Sequence, residues 1–150
     1  MNESKTYFSQ NALQKFIAAE QKVVKKVVCH LWYNSSNPNE ALELIDNVEI
    51  YFSGTHKLTI SCNEEGTGLD AVDYNYELET AELKKEFGDK IKIFALDASS
   101  TKIWKEVIGK KLVQVKLEKE NGHYKSSAIM LDFGEEQREI SISHNDGLII

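Results

Sequence analysis

Apolar and polar residues alternate along much of the chain, and the alternation is clearest in the stretch VEIYFSGTHKLTIS, residues 48–61. A period of two is typical of a strand with one buried face, and Ser53-Gly54 interrupts the period as a turn would. A similar pattern returns in AIMLDFGEEQREISIS, residues 128–143. The sequence therefore predicts two β-hairpins, one in each half of the chain.

The segments outside the hairpins predict further strands and short helices. Ser9 is typical of a helix cap, and Leu13, Phe16 and Ile17 follow it at helical spacing. The next stretch, KVVKKVVCHLWY, is rich in β-branched and aromatic residues, as a strand covered on both faces would be. The remaining predicted elements are a strand with Val72, Tyr74, Tyr76 and Leu78 on one face, a helix capped by Thr80 that runs to Phe87, a strand at KIKIF, and a capped helix at SSTKIWKEVIG that ends at Gly109.

The order of elements in the first part of the chain returns in the last part. The helix TKIWKEVI, the strand KKLVQVKLE and the second hairpin follow one another as NALQKFI, VVKKVVCHL and the first hairpin do. Residues 9–69 and 99–150 are thus predicted to be related helix-strand-hairpin units of a single domain, residues 1–150, since two units are too few for a solenoid. The alternative interpretation is that any two amphipathic hairpins look alike. We expect an α+β fold, with a mainly antiparallel sheet and two to three helices.

Composition narrows the class of protein. The 150 residues are 41% hydrophobic and 28% charged, which is typical of a globular domain. No stretch is apolar enough to cross a bilayer, and MNESKTYFSQ lacks the features of a secretory signal, so we expect a cytoplasmic protein without membrane contact. The formal net charge of −6 argues against broad contact with nucleic acid and favours a basic partner.

Cys29 and Cys62 each lie within a predicted strand. A lone thiol in a strand usually behaves as a small buried hydrophobe. We expect both cysteines to be reduced core residues, with a disulfide as the alternative.

Few residues suggest chemistry. The stretch GTGLDA, residues 66–71, has the glycine spacing of a dinucleotide-binding turn, but Asp70 and Asp73 would repel a phosphate there. The histidines show no spacing typical of a metal site, and no serine lies in a nucleophile elbow. We therefore expect no catalytic residue, no metal and no cofactor. We interpret His30 as a half-buried structural histidine and the other three as turn or surface residues, namely His56, His123 and His144.

Carboxylates cluster between residues 64 and 79. On the predicted strand, Asp73, Glu77 and Glu79 share the face opposite the tyrosines. Two interpretations fit this pattern: the solvated face of an edge strand, or an acidic surface that binds a partner. Under the second interpretation, the candidate partner-binding residues are Asp70, Asp73, Glu77 and Glu79.

As a small acidic α+β chain with two hairpin units and no catalytic constellation, the sequence resembles the immunity proteins of bacterial polymorphic-toxin and contact-dependent inhibition systems. The resemblance rests on architecture and charge over most of the chain, and patterns such as WKEVIGKKL and IMLDF are not specific to that class. It implies a protein that binds and neutralises a toxin domain with a basic surface. It assigns no functional residue.

Two functional hypotheses follow. The first is a binding module without enzymatic activity, whose acidic surface covers a basic surface on a protein partner. The second is a small-ligand carrier or an enzyme of unknown reaction, whose pocket lies between the sheet and the helices. The candidate pocket-lining residues for the second hypothesis are Trp32, Tyr74, Tyr76 and Trp104.

Overall fold

The structure is a computed structural model, and it describes residues 7–35, 42–63, 67–143 and 147–150. Its helices are α1 (Gln10–Ala19) and α2 (Tyr76–Phe87). Its strands are β1 (Val24–Asn34), β2 (Leu42–Phe52), β3 (Lys57–Cys62), β4 (Leu69–Val72), β5 (Ile91–Asp97), β6 (Gln114–Lys116), β7 (Lys119–Glu120), β8 (His123–Tyr124), β9 (Ala128–Asp132), β10 (Gln137–Ser143) and β11 (Gly147–Ile149). The protein is therefore α+β with strands predominating, as the sequence predicted.

Within the described ranges, nine strands form one sheet that is antiparallel except where β11 meets β2. The order is β4-β3-β2-β11-β10-β9-β6, and β1 pairs with both β2 and β5. Strand β2 joins the two halves, because one of its edges pairs with β3 and also contacts β11, where Gly147 lies beside Ile45. A Cβ at Gly147 would lie 2.5 Å from the carbonyl oxygen of Ile45, and φ is +72°, so this close approach requires glycine.

The sheet curls, so that the segment before β6 returns to the start of β1. The amide of Val24 donates to the carbonyl of Lys110 at 2.9 Å, and the amide of Gly109 donates to the carbonyl of Val24 at 2.8 Å. The amide of Leu112 donates to the carbonyl of Lys22 at 2.8 Å. One hydrophobic cluster packs against both halves of the sheet.

Both predicted hairpins are confirmed, as β2–β3 and β9–β10. The alternation decides which side chains are buried: Val48, Ile50 and Phe52 face the core from β2, and Leu58 and Ile60 face it from β3. Helix α1, capped by Ser9 as predicted, contributes small and aromatic side chains to the same cluster. Burying each large apolar side chain contributes roughly 1.5–3 kcal/mol.

The predicted helix at residues 99–109 is wrong, because the segment forms a succession of turns. Its amides bond mostly three residues back, as from Trp104 to the carbonyl of Thr101 (3.2 Å) and from Val107 to that of Trp104 (2.9 Å). Trp104 and Val107 are buried and hold the segment against the core, while β-branched residues such as Ile103 lower the helix propensity.

The predicted strand that carries the acidic residues is wrong beyond Val72. Strand β4 ends there, and α2 begins at Tyr76. Asn75 caps the helix, since its Oδ1 accepts from the amide of Leu78 at 3.1 Å. The helix therefore begins before the predicted cap, Thr80, and the carboxylates do not lie along one strand face.

The two predicted units have similar strand pairings. Both β1-β2-β3-β4 and β6-β9-β10-β11 pair in succession and antiparallel. Phe52 and Phe133 are buried beside the two hairpin turns. Helix α1, however, has only turns as its counterpart in residues 99–109. That the two units superpose stays a prediction.

Candidate functional site

The four predicted partner-binding residues lie on different parts of the fold. Asp70 is partly buried in β4. Asp73 follows that strand; its side chain is fully exposed and lies 3.3 Å from the ammonium of Lys15. Glu77 and Glu79 are exposed in the first turn of α2, where the helix dipole favours negative charge. The structure thus brings three of the four to the start of α2 and leaves Asp70 on the sheet.

Helix α2, which the structure describes over its whole length, buries none of its residues. Leu78 is 56% exposed and lies between Glu77 and Glu79 in sequence. An exposed apolar residue among charges has the anatomy of a small protein-binding patch, with an apolar centre and a polar rim. We call Asp73, Glu77, Leu78 and Glu79 the α2 surface.

The segment that contains the α2 surface, residues 70–87, has a negative net charge. Residues 70–87 contain six carboxylates and two lysines, and the lysines lie in the last turn of α2. The ion pair of Asp73 with Lys15 is exposed, so it offsets little of the charge. The negative potential is therefore concentrated at the start of the helix, where it attracts basic groups.

A group of polar side chains lies beneath the start of α2, on the sheet face opposite the hydrophobic core. The strand register assembles it, because His30 opposes Asn47 across β1–β2 and Glu49 opposes Thr59 across β2–β3. These four polar residues are buried. Together with Lys57 they form what we call the polar cluster.

Glu49 is the centre of the polar cluster. Its Oε2 lies 2.9 Å from Lys57 Nζ and accepts from the Thr59 hydroxyl at 3.2 Å. Its Oε1 lies 3.4 Å from His30 Nε2 and accepts from the Tyr51 hydroxyl at 3.3 Å. The hydrogen bond to Glu49 raises the pKa of Lys57 above its ordinary value, against the opposing effect of partial burial. The Lys57 ammonium and the hydroxyls of Thr59 and Tyr51 stabilise a carboxylate that would otherwise be costly to bury.

His30 connects the sheet to the segment that leads into α2. Its Nδ1 lies 2.7 Å from Asn47 Oδ1, while Asn47 Nδ2 donates to Asp46 at 2.9 Å. Because this network makes the Asn47 oxygen an acceptor, it assigns a hydrogen to His30 Nδ1. The rings of Tyr74 and Tyr76 pack against the imidazole, with centroids 4.7 and 5.1 Å away. The histidine, which we expected to be half-buried, is buried.

The same two tyrosines cover the polar cluster. The Tyr76 hydroxyl donates to the carbonyl of Ile93 in β5 at 2.8 Å. The Tyr74 hydroxyl is buried and has no hydrogen-bond partner among the described residues. Burial raises the pKa of Tyr74 above its ordinary value, and the side chain of Asn47 offsets this shift only in part.

A histidine and a carboxylate in contact could exchange protons with a substrate that reached them. His30 and Glu49 are only 2% and 3% exposed, so a substrate could reach them only if the residues that cover them moved. Two clefts lie outside the polar cluster. One of about 540 Å³ separates α1 from residues 114–117, and one of about 260 Å³, lined by Tyr76, separates α2 from β5. Trp104, predicted to line a pocket, lies in the core instead.

The two cysteines are free, as predicted. Burial raises the pKa of Cys29 to about 11, and it also raises the pKa of Cys62. Both thiols are therefore un-ionised near neutral pH and poor nucleophiles.

Two of the predicted turn histidines, His56 and His123, lie at or beside hairpin turns, and His144 lies outside the described residues. Gly66, the first glycine of GTGLDA, also lies outside them. In the part of the chain that the structure describes, no three His, Cys, Asp or Glu side chains are grouped closely enough to hold a metal ion.

Sequence reasoning missed the polar cluster. The alternation in VEIYF places Glu49 on the face opposite Val48, Ile50 and Phe52, a face to which we assigned no role from the sequence. The available signal was the hairpin register, because the turn fixes which residues of β2 and β3 oppose one another and so brings Glu49 near Lys57 and Thr59.

Comparisons with known proteins add no relative: no family model matches the chain, and no curated protein or solved structure matches it significantly. None of the described helices has both the length and the apolar character needed to cross a membrane.

Proposed function

We propose that the protein is a non-catalytic, cytoplasmic binding module whose α2 surface docks on a basic surface of a protein partner. One observation carries the proposal: α2 buries none of its residues and presents Leu78, 56% exposed, among carboxylates. A helix that contributes nothing to the core and exposes an apolar side chain is well placed to bury that side chain in a groove of a partner.

Charge complementarity specifies the partner. The exposed carboxylates Asp73, Glu77 and Glu79 would pair with lysine or arginine at the rim, and Leu78 would enter an apolar pocket at the centre. The resemblance to immunity proteins supports a toxin domain as that partner. Under this proposal, covering the basic surface of the toxin neutralises it without any chemical step.

The test is a pull-down with three baits: the wild type, Asp73→Asn/Glu77→Gln/Glu79→Gln, and a control variant. The control, Glu106→Gln/Glu135→Gln/Glu139→Gln, changes the net charge equally at three exposed carboxylates outside the α2 surface. We expect a protein with a lysine- and arginine-rich surface to be captured by the wild type and the control but not by the α2 variant. Equal capture by all three baits, or capture of no basic protein, would contradict the proposal.

A second candidate, a small-ligand carrier, is favoured by the cleft of about 540 Å³ beside α1. Leu13, Ile17, Val115 and Tyr124 contribute apolar walls, and glutamine, glutamate and lysine side chains line the rest, so the cleft suits a ligand that is mainly apolar with some polar groups. NMR screening with apolar fragments tests it: shifts confined to these residues would support the carrier, and an unchanged spectrum would oppose it.

A further inference from the structure

Helix α2 is attached to the fold by few contacts. In most proteins a helix is stabilised by an apolar stripe that packs on the core. Helix α2 buries no residue: its apolar side chains Leu78 and Phe87 are 56% and 43% exposed, and Leu83 is only partly buried. Its attachment must therefore come from contacts other than core packing.

Those contacts are concentrated at the start of the helix. The Tyr76 hydroxyl bonds the carbonyl of Ile93, and the Tyr76 ring packs on His30. One residue before the cap, the Tyr74 ring also packs on His30, and its carbonyl accepts from Lys57 Nζ at 3.4 Å. Further along, the cleft of about 260 Å³ separates α2 from β5, so the rest of the helix is loosely packed.

The segments at both ends of α2 take no part in the pairings of the sheet. Residues 73–75 have no regular structure, and Gly88 follows the helix at a φ of +62° with open space around its Cβ position. Both flanking strands, β4 and β5, are held by their own antiparallel pairings. A helix of 12 residues is marginal in water by itself, so α2 would unravel once detached.

We infer that segment 73–87 is a strap that detaches while the sheet stays folded, and that its detachment exposes the polar cluster, including His30 and Glu49. Regions with few buried apolar contacts open at a lower free energy than the core around them. Tyr76 controls the opening, because it connects the strap both to β5 and to His30. This inference goes beyond the proposed binding function and needs no partner.

Native-state hydrogen exchange on the full chain tests the strap. We expect the hydrogen-bonded amides of α2, corrected for intrinsic rates, to exchange faster than those of β1, β2 and β3. Tyr76→Phe removes one hydrogen bond, which should accelerate exchange in α2 by about 2- to 12-fold and leave the sheet unchanged. The control is Tyr33→Phe, because the Tyr33 hydroxyl bonds no described residue. This variant should change the exchange rates of neither α2 nor the sheet.

Three results would overturn the inference. The α2 amides could exchange only together with the sheet, Tyr76→Phe could accelerate all elements equally, or it could accelerate none. Because no partner takes part, each of these results would leave the proposed binding function standing.

Discussion

The ion pair between Glu49 and Lys57 is asymmetric, and the asymmetry predicts unequal effects of removing each partner. The Glu49 side chain is 4% exposed, whereas that of Lys57 is 40% exposed. Lys57→Met leaves a buried carboxylate without its closest cation, and because Lys57 is itself half-exposed we expect a cost at the low end of the about 3–5 kcal/mol that breaking a fully buried pair costs. Glu49→Gln leaves the Lys57 ammonium free to rotate into the solvent. The free energy of unfolding then falls only by the value of hydrogen bonds to a charged group, about 1.5–3 kcal/mol.

Urea unfolding of both single variants and the double variant at pH 7 measures these costs. We expect Lys57→Met to lower the free energy of unfolding more than Glu49→Gln does. The double variant should lose less than the two single losses together, because its glutamine no longer needs a cation. Additive losses, or a larger loss for Glu49→Gln, would refute the reasoning that burial of the carboxylate dominates this pair.

Two further predictions concern the core. Phe52→Ala and Phe133→Ala should each cost about 3–5 kcal/mol in chemical denaturation, since both rings are buried; a much smaller loss at either position would place that ring at the surface. The pKa of Cys29 is raised from 9.0 to about 11, so the unfolded chain ionises first and stability falls as the pH rises between those values, by about 2–3 kcal/mol. Cys29→Val should lose less stability over that range, and an identical pH dependence would show that the folded thiol is not shifted.

The hairpins and the first helix could be predicted from the sequence because their signals are local. Val48, Ile50 and Phe52 alternate with polar residues up to a glycine turn, and burial follows that alternation. Ser9 caps α1 through a bond to the amide of Ala12, three residues along the chain. Such patterns require no knowledge of distant contacts.

The start of α2 was mispredicted because two signals overlap there. Tyr74, Tyr76 and Leu78 alternate with polar residues, which is typical of a strand, but Asn75 caps a helix and carboxylates fill its first turn. Capping and the helix dipole outweighed the alternation.

The polar cluster and the turns at residues 99–109 depend on contacts between distant segments. His30 meets Glu49 only because β1 and β2 pair in one particular register, with an irregularity between His30 and Leu31. Trp104 is buried where a regular helix was expected, because the returning segment must pair with the start of β1. Local patterns in a single sequence do not reveal such long-range pairings.

The proposed function requires the carboxylates of the α2 surface to steer a basic partner. The most direct measurement is the association rate constant with the captured partner as a function of ionic strength, for the wild type, Asp73→Asn/Glu77→Gln/Glu79→Gln and the matched control. Exposed charges act over roughly 8–10 Å at physiological salt, so the wild-type rate should fall as salt rises. The α2 variant should associate more slowly and with a shallower salt dependence, while the control should resemble the wild type. Equal rates and equal salt slopes for the wild type and the α2 variant would contradict the account.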